Sequence, residues 1–173
     1  DGTTVSDYDK TEIEKGYSIN TTIVPVEFNK VKINFLDTPG FFDFAGEVQG
    51  ALRAAEAAAI LVDASSGVQV GTEKAWLACK KNNAPRFFII NKIDKDNVNV
   101  DQVVADLQAK FGTSVVTLDD KDAVSEAIAE VDEELMEIYF DAGEFTDEQF
   151  NAGLSKGIQQ GDICPVFTCS ALT

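Results

Sequence analysis

Phe87-Phe88-Ile89-Ile90-Asn91-Lys92-Ile93-Asp94 decides how the rest of the chain is read. Behind Pro85, residues 86–90 read as an apolar strand, too short for a helix of ordinary length. A run of that kind is the pattern of a strand buried on both faces in a parallel sheet. It then stops on Asn, Lys and Asp. Polar groups at that point lie where parallel α/β sheets gather their ligands, beyond the carboxyl ends of the strands.

The flanking sequence repeats the theme. Residues 57–63 form a second apolar strand ending in an acid, and residues 72–82 carry Ala75, Trp76 and Cys79 on one side of a helix. Val100, Val103, Val104, Leu107 and Phe111 mark an amphipathic helix, and Val115-Val116 a short strand. Val124, Ile128, Val131, Leu135 and Ile138 mark one further helix, and residues 145–158 another, with Phe150, Leu154 and Ile158 spaced by four. Residues 163–167 read as a last short strand. Strands alternating with helices of this length predict an α/β fold with a mainly parallel, helix-covered sheet. Upstream, residues 45–56 read as a helix through Val48, Leu52 and Ala55. Residues 21–28 and 31–36 are β-rich runs separated by Asn29-Lys30, a hairpin signal, with Ile23, Phe28, Val31 and Phe35 expected inside. The polar residues 1–15 read as loop.

Composition narrows the function. The 173 residues suit one domain, and 30 Asp and Glu against 14 Lys and Arg give a net charge of −16. That acidity opposes wrapping a nucleic acid, so no DNA partner is expected. It leaves room for one nucleotide, which needs only a local ring of donors. The chain has no histidine, which excludes imidazole catalysis and Cys/His zinc sites within it. No apolar run approaches the ~18 residues of a membrane span, and no signal peptide is visible, so a cytoplasmic protein without a membrane partner is expected. Cys79, Cys164 and Cys169 are odd in number and lack C-x-x-C spacing, so they read as reduced structural thiols.

Three strand ends carry candidate chemistry: Asp37-Thr38-Pro39-Gly40, Asn91-Lys92-Ile93-Asp94 and Ser170-Ala171-Leu172. In this order they resemble the third, fourth and fifth nucleotide motifs of translational GTPases. Glu14-Lys15-Gly16-Tyr17-Ser18-Ile19-Asn20-Thr21 resembles the first switch of the same family. Phe44, Glu47, Leu52, Arg53 and residues 73–76 bring the resemblance closest to the nucleotide-binding domain of elongation factor G and elongation factor G-like proteins. It runs over nearly the whole chain. The fold it implies is a three-layer P-loop NTPase domain of the small-GTPase type, with the first switch at residues 9–24, the second at 37–56 and a shortened insert region at 112–131.

The resemblance also assigns roles, which the side-chain chemistry makes intelligible. The ligands implied are GTP or GDP with Mg²⁺, and the partner is the ribosome, met through the intact protein, which is otherwise monomeric. Asp94 would accept from guanine N1–H and the exocyclic amine, a donor pair that adenine lacks. Lys92 would lay its stem along the base, Asn91 would tie the base loop to neighbouring backbone, and Ser170 and Ala171 would offer N–H groups near O6. Ser18 would give its hydroxyl to Mg²⁺, Asp37 would hold the ion through water, and Gly40 would offer its N–H to the γ-phosphate.

The sequence departs from the family at four places. Ser18 replaces a threonine, and magnesium needs only the oxygen. Phe41 stands where rapid hydrolysers carry the histidine that orients the attacking water. Phenylalanine has neither donor nor acceptor, although it can pack beside Tyr17 and Phe42, so slow hydrolysis is expected. No Gly-Lys-Ser or Gly-Lys-Thr occurs, so the phosphate-cradling loop, its strand and its helix are expected upstream of Asp1. That strand would sit between those ending at Asp37 and Asp63, and residues 1–173 alone are then expected to fold poorly. Finally, the family's inserted subdomain finds no room between residues 110–116 and 132–140. The leading expectation is a GTP-binding and GTP-hydrolysing domain. Its rival is a guanine-nucleotide-dependent, ribosome-associated switch with little or no GTPase activity. A response-regulator-like module would explain acids at strand ends, but not Asn91-Lys92-Ile93-Asp94.

Overall fold

The computed structural model describes residues 4–172. The chain divides after Glu56 into two compact units.

In the first unit, helix α1 (Lys10–Lys15) occupies a stretch read as loop from its polarity. Capping accounts for it. Asp9 accepts from the Thr11 N–H while Glu12 reaches back to the Asp9 N–H, and Gly16 closes the helix in the left-handed region at φ 71°. Strands β1 (Thr22–Phe28) and β2 (Val31–Asp37) then form an antiparallel hairpin, pairing Thr22 with Asp37 and Phe28 with Val31. Its turn residues Asn29 and Lys30 both take positive φ, 49° and 65°, as a two-residue turn matching strand twist requires. The expected core positions Ile23, Phe28, Val31 and Phe35 are instead at least half exposed. The hairpin is a two-stranded sheet, and among the described residues of this unit no second layer covers those side chains. A 3-10 turn (Phe42–Phe44) leads into α2 (Ala45–Ala54).

The second unit is α/β. It contains β3 (Ala58–Asp63), α3 (Val70–Lys81), β4 (Arg86–Asn91), α4 (Val100–Phe111), β5 (Val115–Thr117), α5 (Lys121–Ala129), α6 (Glu133–Ala142), α7 (Asp147–Gln160) and β6 (Cys164–Thr168). The four strands form one all-parallel sheet in the order β3-β4-β6-β5. Burial along β4 alternates, with Phe88 and Ile90 fully buried and Phe87 and Ile89 half-buried. On β3, Ile60 and Val62 are buried while Leu61 is exposed. The expectation of strands buried on both faces is therefore corrected for β3: only one of its faces meets the core. Trp76 of α3 and Phe111 of α4 stack against Phe88, with centroids 5.6 and 5.4 Å away.

The single helix expected through Val124 and Ile138 is two. Asp132 interrupts it as an N-cap, its carboxylate accepting from the Leu135 N–H and pairing with Lys156. α5 and α7 approach closely because α7 carries glycines at the contact. A Cβ on Gly153 would lie 2.5 Å from Ile128 Cγ2 of α5, while one on Gly157 would lie 2.5 Å from Ile163 Cδ1, in the connection to β6. Arg86 is buried at the start of β4, its guanidinium 3.9 Å from the Trp76 ring centre and bonded to the Gly161 carbonyl. Burial pushes the nearby Cys164 thiol up to about 12, and Cys79 is raised for the same reason. Among the described residues, no helix is long and apolar enough to cross a membrane.

Candidate functional site

In the second unit, three parallel strands deliver their carboxyl ends together. β3 ends at Asp63, β4 at Asn91 and β6 at Thr168, and backbone bonds bind the loops that follow: Ala64 N–H to the Asn91 carbonyl and Cys169 N–H to the Ile90 carbonyl, each 2.9 Å. Asn91, Lys92, Asp94, Ser170 and Ala171 thus meet although the two segments are distant in sequence. Asn91 is the hub. Its Oδ1 accepts from the Lys92 N–H at 2.7 Å and from the Ala171 N–H at 3.1 Å, with Cys169 Sγ at 3.5 Å.

Ser170 Oγ donates to Asp94 Oδ1 at 2.7 Å. That bond is the main reason the Asp94 carboxyl lies below its ordinary value, so Asp94 is ionised at neutral pH and can only accept. An exposed, ionised carboxylate beside a hydroxyl is suited to a ligand edge presenting donors. The Ala171 N–H donates to Asn91, so it does not point outward to a ligand. Lys92 sits in the left-handed region at φ 65°, with its ammonium on Asp63 rather than extended into solvent. Leu172 is exposed.

The first unit gathers the other candidates. Asp37, exposed, closes β2 opposite Thr22, and Pro39 behind it is buried. Gly40 is exposed, and its φ lies outside the left-handed region. A Cβ there would meet nothing within 4 Å, so no local crowding demands glycine. Ser18 Oγ donates to Asp7 Oδ1 at 2.7 Å. The Phe41 ring packs against Tyr17, centroids 4.6 Å apart.

Two carboxylates that no motif reading singled out as functional organise this segment. Buried Glu12 accepts the N–H groups of Ile19 and Asn20 at 2.8 and 2.9 Å, and these bonds hold its carboxyl below the ordinary value against the cost of burial. Glu47, on α2, accepts the Thr21 N–H at 2.9 Å and is lowered by that bond. The Asp9-x-x-Glu12 spacing was a readable signal for the first, since it is a capping box. Glu47 carried no local signal, because its partner lies 26 positions away.

An α/β unit with a parallel sheet and polar loops converging at its strand ends is an architecture that gathers ligands at those ends, as the nucleotide-binding domains of GTPases do. Residues 1–173 match the elongation factor Tu GTP binding domain family, and the chain belongs to that family. It is 28% identical to the elongation factor G-like protein of Thermotoga maritima, over 96% of this chain and 30% of the relative. It is 38% identical to the mitochondrial ribosome-releasing factor 2 of Drosophila yakuba, over 68% of this chain and 16% of the relative. The tetracycline resistance protein TetO of Streptococcus pneumoniae is 28% identical over 98% of this chain and 29% of its own length. A crystal structure of a Thermus thermophilus protein superposes with a TM-score of 0.88 at 27% identity, covering 98% of this chain and 32% of that one. The chain therefore spans less than a third of the length of each of these proteins. The resemblance to elongation factor G-like translational GTPases, drawn from the motifs, stands.

Proposed function

We propose that residues 1–173 form part of the guanine-nucleotide domain of an elongation factor G-like protein that binds GTP, hydrolyses it slowly and acts on the ribosome. The observation carrying this reading is the tie of residues 91–94 to residues 170–171: Asn91 holds the Ala171 N–H while Ser170 orients the ionised Asp94. Asp94 would read the N1–H and amino group of guanine, and the Lys92 stem would cover one face of the base.

Asp37, Thr38, Pro39 and Gly40 would follow the phosphates, with residues 9–24 as the first switch, 37–56 as the second and 112–131 as a shortened insert region. The Ser18 hydroxyl and Asp37 carboxylate are hard oxygen donors of the kind Mg²⁺ takes. Among the described residues, no group of three or more His, Cys, Asp or Glu side chains could hold a metal ion by itself. Mg²⁺ would accordingly be held jointly with phosphate oxygens, and Ser18 would release Asp7 to reach it. The ion, when bound, neutralises charge on the phosphates.

A cytoplasmic, monomeric protein that meets neither membrane nor DNA completes the reading. A second reading, a ribosome-associated switch that scarcely turns over GTP, is favoured by one observation. Phe41 offers only a hydrocarbon ring, and that ring packs on Tyr17. Calorimetric titration of the intact protein with GDP and with ADP tests the nucleotide assignment. GDP binding at least ~100-fold tighter is expected from a site built to pair with the base's donors. Equal affinities would refute it.

A further inference from the structure

Asp63 ends β3, and none of the nucleotide motifs includes it. Its carboxylate is nonetheless closely held. Oδ1 accepts from the Ser65 N–H at 2.9 Å and from Ser65 Oγ at 2.5 Å. Oδ2 meets Lys92 Nζ at 2.6 Å, with Lys95 Nζ at 3.6 Å, and Lys95 also donates to Ser65 Oγ at 3.2 Å. The Lys92 bond, aided by Ser65, holds the Asp63 carboxyl well below the usual carboxylate range. Lys92 is pinned at its other end too. Its backbone takes φ 65°, a strained value for a residue with a Cβ, and its N–H donates to Asn91 at 2.7 Å.

We propose that Asp63 is a positioning residue for guanine-nucleotide binding: it latches the Lys92 ammonium across the strand ends, so that the lysine stem is laid out as a wall for the base before the ligand arrives. This rests on reading residues 91–94 and 170–171 as the base site. A lysine side chain loses much rotamer freedom when it is ordered. The latch places that loss on the free protein and removes it from the binding step. Asp63 contacts the lysine and would act on the base only through it. It therefore sets affinity, while the choice of guanine over adenine stays with Asp94. The side chains of Lys92 and Asp63 remain 45% and 26% exposed, so the pair is of moderate strength and sensitive to salt.

The test is a double-mutant cycle in the intact protein, titrated with GDP and ADP. Asp63→Asn should weaken GDP binding about five-fold at low salt with the GDP-to-ADP ratio unchanged, and the deficit should shrink as salt is raised. In a Lys92→Ala background, Asp63→Asn should cost nothing more. Wild-type affinity in Asp63→Asn, or losses that simply add, would overturn the latch. Should Asp63→Asn lower the melting temperature enough to impair folding, Ser65→Ala keeps the charge and loosens its orientation. It should give a smaller loss that again vanishes without Lys92, and a loss that persists there would overturn the proposal. A wild-type protein that binds GDP no better than ADP would refute the base-site reading itself. Tight GDP binding unaffected by Asp63→Asn would refute the latch alone.

Discussion

Asn91 Oδ1 accepts the backbone N–H of Ala171 at 3.1 Å across 80 positions of sequence, while also accepting the N–H of Lys92. One side chain thereby ties the loop after β4 to the loop after β6. Asn91→Ala should release both amides. Hydrogen exchange should show lower protection at Lys92 and Ala171, with the Phe88 and Ile90 amides of the strand unchanged. A stability loss of ~1–2 kcal/mol is expected, since two hydrogen bonds are lost at a partly exposed position.

Phe41 packs on Tyr17 and has no polar atom with which to hold a water in line with a γ-phosphate. Single-turnover hydrolysis by the intact protein with ribosomes should therefore be slow, and Phe41→His should raise it ~10-fold or more, a gain within the usual range for one positioned polar group. Asp43→Ala tests whether the neighbouring acid has taken over the role. A wild type as fast as the His variant would remove the support for the switch reading.

How far the sequence spoke depends on how local each signal was. The β4 strand and its Asn-Lys-Ile-Asp end were legible because a strand and its punctuation are written in consecutive residues. The same holds for the Asn29-Lys30 turn. The helix break at Asp132 was not, because the apolar spacing runs straight through it and only the cap, paired with Lys156, interrupts it. The exposure of Phe28 and Phe35 was missed for a different reason. Apolar alternation predicts a buried face, but burial depends on what covers that face, and no periodicity encodes the cover. Asp63 and Glu47 belong to the same class, since each acts on a partner more than 20 positions away.

Ser18 bonds to Asp7 in this structure, so engaging Mg²⁺ requires it to change partner. Ser18→Ala should weaken binding of a non-hydrolysable GTP analogue in the presence of Mg²⁺ far more than binding of GDP, because the first switch closes on the γ-phosphate. Equal losses for both nucleotides would leave Ser18 a structural hydroxyl. Omitting Mg²⁺ should erase the difference between variant and wild type.

Glu12 is held below its ordinary value by the Asn20 and Ile19 amides. A depressed carboxyl contributes stability that is fully present above its unfolded value, near 4.5, and is lost as pH falls through the lower folded value. Protection of the Ile19 and Asn20 amides, corrected for intrinsic exchange, should hold at neutral pH and fall below about pH 4. Glu12→Gln should lower it already at pH 7, as charge-assisted bonds are replaced by weaker neutral ones, and should flatten its pH dependence.

The assignment of Asp94 to the base is the centre of the account, and exchanging the base tests it most directly. In Asp94→Asn the carboxylate that would accept from the guanine amine becomes an amide able to donate to the C2 carbonyl of xanthine. Calorimetry on the intact protein should show GDP binding weakened by ~100-fold or more and XDP binding gained. An Asp94→Asn protein that keeps wild-type preference for GDP over XDP would contradict the assignment.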